Sequence, residues 1–186
     1  MEYRWAWSSF MKNLQNIDAK ICLTAAGCLI HEGQVMLVKH KKVGAWLCPG
    51  GHIDPNELPH QAAEREFWEE TGIEVSAFNP DLPTATDGSE YLPNPILTNL
   101  HWVSQDNYQI RTEGKSSTSN SKLWKKGCEQ HLSFIYLVKP AGKNLDFKEN
   151  VEETDGIGWF SLAELDDLEL FGNVELEIKT AFSLLK

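Results

Sequence analysis

Glu66, Glu69 and Glu70 stand where an isolated helix would not choose to put them. The stretch from Pro59 to Thr71 reads as a helix, with a proline in its first turn and Gly72 as the residue just past its end. Spacings of three and four residues place the three carboxylates on one face, where like charges cost a few tenths of a kcal/mol per pair, roughly. They also fall in the last turns, where the helix dipole is already negative. A cation among them offsets both costs, and clustered hard oxygen donors suit Mg²⁺ or Mn²⁺. Taken singly, such glutamates form a solvated face. Together, behind the Pro49-Gly50-Gly51 turn that lets backbone approach a metal or a phosphate, they read as a ligand set. Arg65 lies four residues before Glu69, so an ion pair along the helix is available.

The elements that must hold this helix are legible around it. Ile21 to Ile30 is a long apolar strand, His31 to Gln34 a hairpin turn, and Val35 to Lys39 the returning strand. Ile73 to Phe78, Ile96 to Val103 and Leu132 to Lys139 are further strands, rich in β-branched and aromatic residues. Ile157 to Phe160 is a short last strand. Ser161 to Glu164 is a capping box that opens a short helix. Asn173 is expected to cap a C-terminal helix whose Ile178, Ala181, Phe182 and Leu185 share a face. Strands on both sides of a central helix, then a terminal helix, predict an α/β fold with a mixed sheet between helical layers. Residues 1–20 carry Trp7, Phe10, Leu14 and Ile17 at helical spacing, an amphipathic helix expected to pack on the domain or to make a homodimer contact. Residues 21–186 form one domain, with a polar insertion around 104–130 that contains the run Gly114 to Ser121. A loop of that length is a functional lid or is disordered, and here it is expected to influence which substrates are accepted. Asn79 to Pro95 is a second loop.

The spacing from Gly51 to Ile73 reads G-x5-E-x7-R-E-U-x-E-E-x-G-U, with U apolar, and resembles the Nudix box. Every fixed letter is present: Gly51, Glu57, Arg65, Glu66, Glu69, Glu70 and Gly72. Seven fixed letters and two apolar positions have a chance expectation on the order of 10⁻⁷ in a chain of this length. Phe67 departs from the usual aliphatic residue at its position. The order of elements, and Trp159-Phe160 followed by Ser-Leu-Ala-Glu-Leu, also resemble Nudix chains. The resemblance implies an α/β/α sandwich with a mixed sheet, and metal-dependent hydrolysis of a nucleoside diphosphate linked to a further group X. Glu66, Glu69 and Glu70 resemble the family's metal ligands, and Gly51 the glycine whose carbonyl adds one. Arg65 resembles the residue that orients a helix carboxylate, and Glu57 the loop residue that braces the motif. Mg²⁺, or Mn²⁺ in its place, is the implied cofactor. Which carboxylate serves as base varies across the family.

Beyond the box, a diphosphate needs cationic contacts, and Lys39 and His40 head a basic turn that continues through Lys41 and Lys42. Trp46 is placed to stack on a base or to fill the core. Glu152 and Glu153, with Glu149 and Asp155 beside them, precede the last strand, where the family can carry an extra ligand or the base. His131 begins a strand and either faces the cleft or sits as a satisfied histidine. Tyr91 stands at the distance past the box at which cleavers of dinucleoside polyphosphates carry a tyrosine; Pro83, Pro93 and Pro95 straddle the region where ADP-ribose cleavers carry a proline.

The 186 residues hold one domain with a substantial core; 41% are hydrophobic and 24% charged, as in soluble globular proteins. A net charge of −10 disfavours nonspecific nucleic-acid binding. No leader or membrane span is visible and the four cysteines form no zinc spacing, so a reducing cytoplasm is expected, with Cys22 and Cys28 as core residues. The expected partner is a small nucleotide-type diphosphate such as a nucleoside triphosphate, dinucleoside polyphosphate, ADP-ribose or nucleotide sugar, with no nucleic acid or membrane involved. Two rivals share the fold: a non-catalytic nucleotide sensor, and an isopentenyl diphosphate-type isomerase, whose cysteine motif the surroundings of Cys48 do not resemble.

Overall fold

The computed structural model describes residues 19–79, 82–112 and 127–185. The expected N-terminal helix and the polar run from Gly114 to Ser121 lie outside the described residues. Along the chain run β1 (Ile21–His31), β2 (Gln34–His40), β3 (Ala45–Leu47), β4 (Gly50–His52), α1 (Pro59–Thr71), β5 (Val75–Ala77), β6 (Leu97–Trp102), α2 (Gln105–Thr112), β7 (Gln130–Pro140), β8 (Thr154–Ser161) and α3 (Gly172–Leu184). The chain divides into two compact units, Leu23–Asn99 with Ser133–Lys186, and Met1–Cys22 with Leu100–Leu132.

The larger unit is built on a sheet in the order β3-β2-β1-β7-β5, with β4 added to β1 and β8 to β2. The β1–β2 hairpin pairs His31 with Gln34, and Glu32 and Gly33 both take positive φ between them, as a two-residue primed turn requires. Strand alternation sorts the core onto two faces. Leu29, Met36, Tyr136 and Val138 meet Ala62, Ala63 and Phe67 of α1. Their neighbours Cys28, Val35, Leu37, Ile135 and Leu137 meet Val174, Ile178 and Ala181 of α3. The sheet is thereby covered by a helix on each side, which is the expected α/β/α arrangement. Phe67 fits because Gly27 of β1 has no side chain: a Cβ there would stand 3.1 Å from the Phe67 ring and 3.0 Å from Val138.

The smaller unit is held by polar links. Cys22 is bonded to Cys128. Glu129 is buried and takes both ends of the Arg111 fork, at 3.0 and 2.6 Å, and the Lys20 amide at 2.7 Å. The rings of His101 and His131 meet edge to face at 5.5 Å.

Several expectations are corrected. Cys22 is a disulfide partner rather than a free core thiol, because the first residues of β1 lie against the segment entering β7. Asn173 does not cap α3: the helix begins at Gly172 behind Phe171, and the Asn173 amide donates to Glu177 within the helix. The Ser161 amide and hydroxyl both donate to Glu164 at 2.7 Å, yet only a single 3-10 turn, Leu165–Asp167, comes after them. The 104–130 stretch opens with a helix, α2, rather than loop. The segment flanking the Pro-Gly-Gly turn forms two short strands, β3 and β4. The loop expected from Asn79 to Pro95 is found as such over its described residues, with a bridge between Thr86 and Ser89.

Candidate active site

The helix that carries Glu66, Glu69 and Glu70 is fixed at both ends before any chemistry is considered. At its start Pro59 occupies the first turn and the Leu58 amide donates to the Gln61 side chain at 3.2 Å. At its end Gly72 adopts φ +74 and donates to the Trp68 carbonyl at 2.7 Å, a left-handed cap that glycine adopts without strain. The segment ahead of β8 is tied to this end, with Lys148 N–H on the Thr71 carbonyl at 2.7 Å and Asn150 N–H on that of Glu70 at 3.4 Å.

Arg65 spends its donors on the box itself. Its Nε and Nη2 grip the two Glu57 oxygens at 2.8 and 2.9 Å, and Nη1 reaches Glu66 at 2.9 Å and Glu69 at 3.1 Å. Nη2 also donates to the His52 carbonyl at 3.0 Å. The hydrogen bond from Arg65 holds the Glu57 carboxyl below its ordinary range, helped by the Asp54 amide at 3.0 Å. Glu57 is therefore a brace, and Arg65 aligns two of the helix carboxylates through one planar fork.

Glu70 and Glu66 are shifted the other way from Glu57. Glu70 is 2% exposed, and burial pushes its carboxyl up to about 8, against the single Gly50 amide that donates to it at 3.0 Å. The charges of Glu66, Glu153 and Glu69 push it in the same direction. Burial likewise raises Glu66, with Glu69 and Glu153 adding to the effect and Arg65 opposing it. Glu66 lies directly over Gly51, where any Cβ would collide with its carboxyl group; at Gly50 a Cβ would run into the Ala25 carbonyl. The two glycines thus let β4 pass beneath the helix and offer backbone to the same spot.

The structure brings Gly51, Glu57, Arg65, Glu66, Glu69 and Glu70 together, and adds Glu153 from the loop before β8. That loop is held to the basic turn: the Lys41 amide donates to the Glu153 carbonyl at 3.0 Å, and the Lys41 ammonium to the Val151 carbonyl. Glu152 donates its amide to Asn150 and Glu149 accepts from Thr154, so Glu153 is the member of that acidic run whose charge acts on Glu66 and Glu70. His40 also feels the Glu153 charge, and burial lowers its pKa. Lys39 instead pairs with Glu169 at 3.2 Å. Trp46 packs edge-on against Phe160 at 4.8 Å and joins the cluster on the α3 side. Tyr91 is half exposed, and no hydrogen bond or ring contact among the described residues ties it to α1. Sequence reasoning singled out the Pro49-Gly50-Gly51 turn for its backbone but overlooked Asn150, whose N–H reaches the Glu70 carbonyl at 3.4 Å.

This donor set fits a divalent cation. The charge of Glu153 disfavours ionisation of both Glu66 and Glu70, and Glu66 adds to the effect on Glu70, so a cation placed among them would relieve the burial of these carboxyl groups. Among the described residues, Glu66, Glu69 and Glu70 do not bring one oxygen each within 4.8 Å of one another, because Glu69 is turned to Arg65 and Glu70 to Gly50.

A fold of this kind around such a motif defines a class. The chain matches the NUDIX domain over residues 23–180 and belongs to the Nudix family, whose members act on nucleotide-type substrates with divalent metals. It is 37% identical over 54 residues to a MutT-like protein of Streptomyces ambofaciens, covering 28% of this chain and 35% of that one. It is 27% identical over 130 residues to an RNA pyrophosphohydrolase of Psychrobacter cryohalolentis, covering 70% and 64%. The chain thus spans about a third to two thirds of the length of these curated relatives. The fold is shared with a Nudix-family hydrolase from Clostridium perfringens, with TM-score 0.64, 24% identity and coverage of 88% and 97%. It is also shared with a MutT protein from Methanosarcina mazei, with TM-score 0.58, 15% identity and coverage of 91% and 99%. Among the described residues no helix is long and apolar enough to cross a membrane.

Proposed function

We propose that this chain is a Mg²⁺-dependent pyrophosphohydrolase that cleaves the diphosphate linkage of a nucleoside diphosphate carrying a further group X. The observation that carries this reading is buried Glu70 beside half-buried Glu66, with the charge of Glu153 acting on both and burial disfavouring the ionised form of each. Glu66, Glu69, Glu70 and the Gly51 carbonyl would hold the metal, which when bound neutralises diphosphate charge and makes water a competent nucleophile near neutral pH. Arg65 keeps Glu66 and Glu69 aligned and has its donors engaged within the box, so it positions ligands rather than touching substrate. Glu153 enters from the opposite loop and is placed to orient the attacking water or to take its proton. His40, next to Glu153, supplies a polar contact for the outer phosphate, and Lys42, whose charge acts on His40, adds a cation.

A phosphate-release screen over nucleoside triphosphates, dinucleoside polyphosphates, nucleotide sugars and ADP-ribose, with Mg²⁺ and with Mn²⁺, tests the reading. Metal-dependent release from at least one class, abolished in Glu69→Gln, is the expected result. Metal-independent release, or none beside tight nucleotide binding, would favour the sensor reading.

A further inference from the structure

The two remaining cysteines lie opposite one another across β1 and the segment that enters the catalytic turn. The β1–β4 register pairs Ala25 with Gly51 and Ala26 with Gly50. Continued by two residues, it sets Gly27 opposite Pro49 and Cys28 opposite Cys48. The Gly27 amide donates to the Pro49 carbonyl at 3.0 Å, which makes that pair the hydrogen-bonded one. Cys28 and Cys48 then occupy a non-hydrogen-bonded pair, where Cα atoms stand about 4.5 Å apart and side chains are closest. That separation lies inside the range of about 4.4–6.8 Å that a disulfide accepts without backbone rearrangement. The two sulfurs are 3.0 Å apart, and both residues are buried.

We propose that Cys28 and Cys48 form a reversible oxidation site, at which hydrogen peroxide links β1 to the turn that carries Gly50 and Gly51. Cys48, 6% exposed as a residue against 0% for Cys28, is assigned as the residue that meets the oxidant. Its sulfur attacks one peroxide oxygen and the O–O bond breaks, giving a sulfenic acid and one water. The Cys28 sulfur then attacks the sulfenic sulfur; the S–S bond forms, and the leaving hydroxide takes the Cys28 proton as a second water. Two thiols and one peroxide become one disulfide and two waters, the thiols giving up two electrons. Its hydrogen bond with Cys28 and burial hold the Cys48 thiol well above its ordinary pKa, so the step is slow at neutral pH.

The link matters because Cys48 is joined through Pro49 to the two site glycines. Bond formation draws the sulfurs from 3.0 Å to about 2.05 Å. Two residues on, the Gly50 amide sits 3.0 Å from Glu70, and Gly51 lies under Glu66 with no room for a Cβ. A displacement of about 1 Å at such a site can cost on the order of 10²-fold in rate.

The test uses the full chain treated with hydrogen peroxide, alkylated under denaturing conditions and mapped by mass spectrometry without reductant. A Cys28–Cys48 linked peptide should accumulate in step with at least a tenfold loss of Mg²⁺-dependent phosphate release, and dithiothreitol should restore both. Cys48→Ala keeps Cys22–Cys128 and should lose less than twofold under the same peroxide, which separates this pair from the other bond. Finding both cysteines alkylated after treatment overturns the site; a linked peptide with unchanged activity overturns its coupling to catalysis. The activity arm rests on the proposed hydrolase function and the mapping arm does not, so a chain that forms the link without ever releasing phosphate contradicts that function alone.

Discussion

Helices α1 and α3 cover opposite faces of the sheet, each runs thirteen residues, and each buries a glutamate. Glu70 is 2% exposed and Glu177 5%. Burial raises the pKa of both, so burial alone does not distinguish them. Their neighbours do. Glu177 accepts side-chain amides from Asn99 and Asn173, each at 3.3 Å, and both bonds pull its pKa back down. Glu70 accepts one backbone amide and faces three other carboxylates. A buried acid with neutral donors is a structural feature. A buried acid among acids, with the Arg65 guanidinium engaged by Glu57, Glu66 and Glu69, is a place that asks for a cation.

The largest way to break this comparison is to neutralise each acid in turn. Glu70→Gln should lower kcat by on the order of 10²-fold or more, beyond the roughly 10–100-fold that loss of an outer-shell partner costs. Glu177→Gln should stay within about twofold of wild type, because α3 covers the sheet face opposite the one that carries α1. Comparable losses in steady-state assays would erase the distinction. Arg65→Lys comes next, since lysine keeps the charge and loses the fork that holds Glu57, Glu66 and Glu69. It should reduce kcat by about 10–100-fold with KM little changed; a change confined to KM would place Arg65 on the substrate.

How much of this was readable in advance depended on whether a side chain or the backbone carried the signal. The box helix, its glycine cap and the strands around it come from periodicity and from residues with strong local preferences, so α1 and the two sheet faces were legible. The acids and Arg65 were legible because their spacing makes poor sense in an isolated helix. The backbone role of the Pro49-Gly50-Gly51 turn was legible, but the partner of each amide was not: that Gly50 N–H meets Glu70 and Asn150 N–H the Glu70 carbonyl is set by strand register and loop closure. Asn173 misled: an asparagine beside a helix start suggests a cap, but here its side chain had a better partner in Glu177. Cys22 misled similarly, since nothing local shows that residue 128 will lie beside it.

Two glycines sharpen the contrast between site and core. Gly51→Ala should damage activity more than stability, because the new Cβ displaces the Glu66 carboxyl group. Gly27→Ala presses on Phe67 and Val138 and should destabilise by about 1–3 kcal/mol while leaving kcat nearly intact. Thermal melts and initial rates on both variants check the pair.

The smallest effect expected is in the pH dependence of stability. Glu177 has a folded-state pKa above its ordinary 4.5. Such a group contributes stability that is whole below the unfolded value and is lost as pH rises through the folded one. Glu177→Gln cannot ionise, so relative to wild type it should gain a few degrees in Tm, roughly, at neutral pH and nothing near pH 4 or below. A pH-independent difference would mean that Asn99 and Asn173 already satisfy the charge.

The central claim is that the charge deficit around Glu66 and Glu70 is a metal site and the one at Glu177 is not. Calorimetric titration of wild type, Glu70→Gln and Glu177→Gln with Mn²⁺, in the absence of nucleotide, tests it most directly. Wild type and Glu177→Gln should bind with the same affinity, and Glu70→Gln should bind at least roughly tenfold more weakly. Equal affinities in all three proteins, or weakening in Glu177→Gln alone, would contradict it.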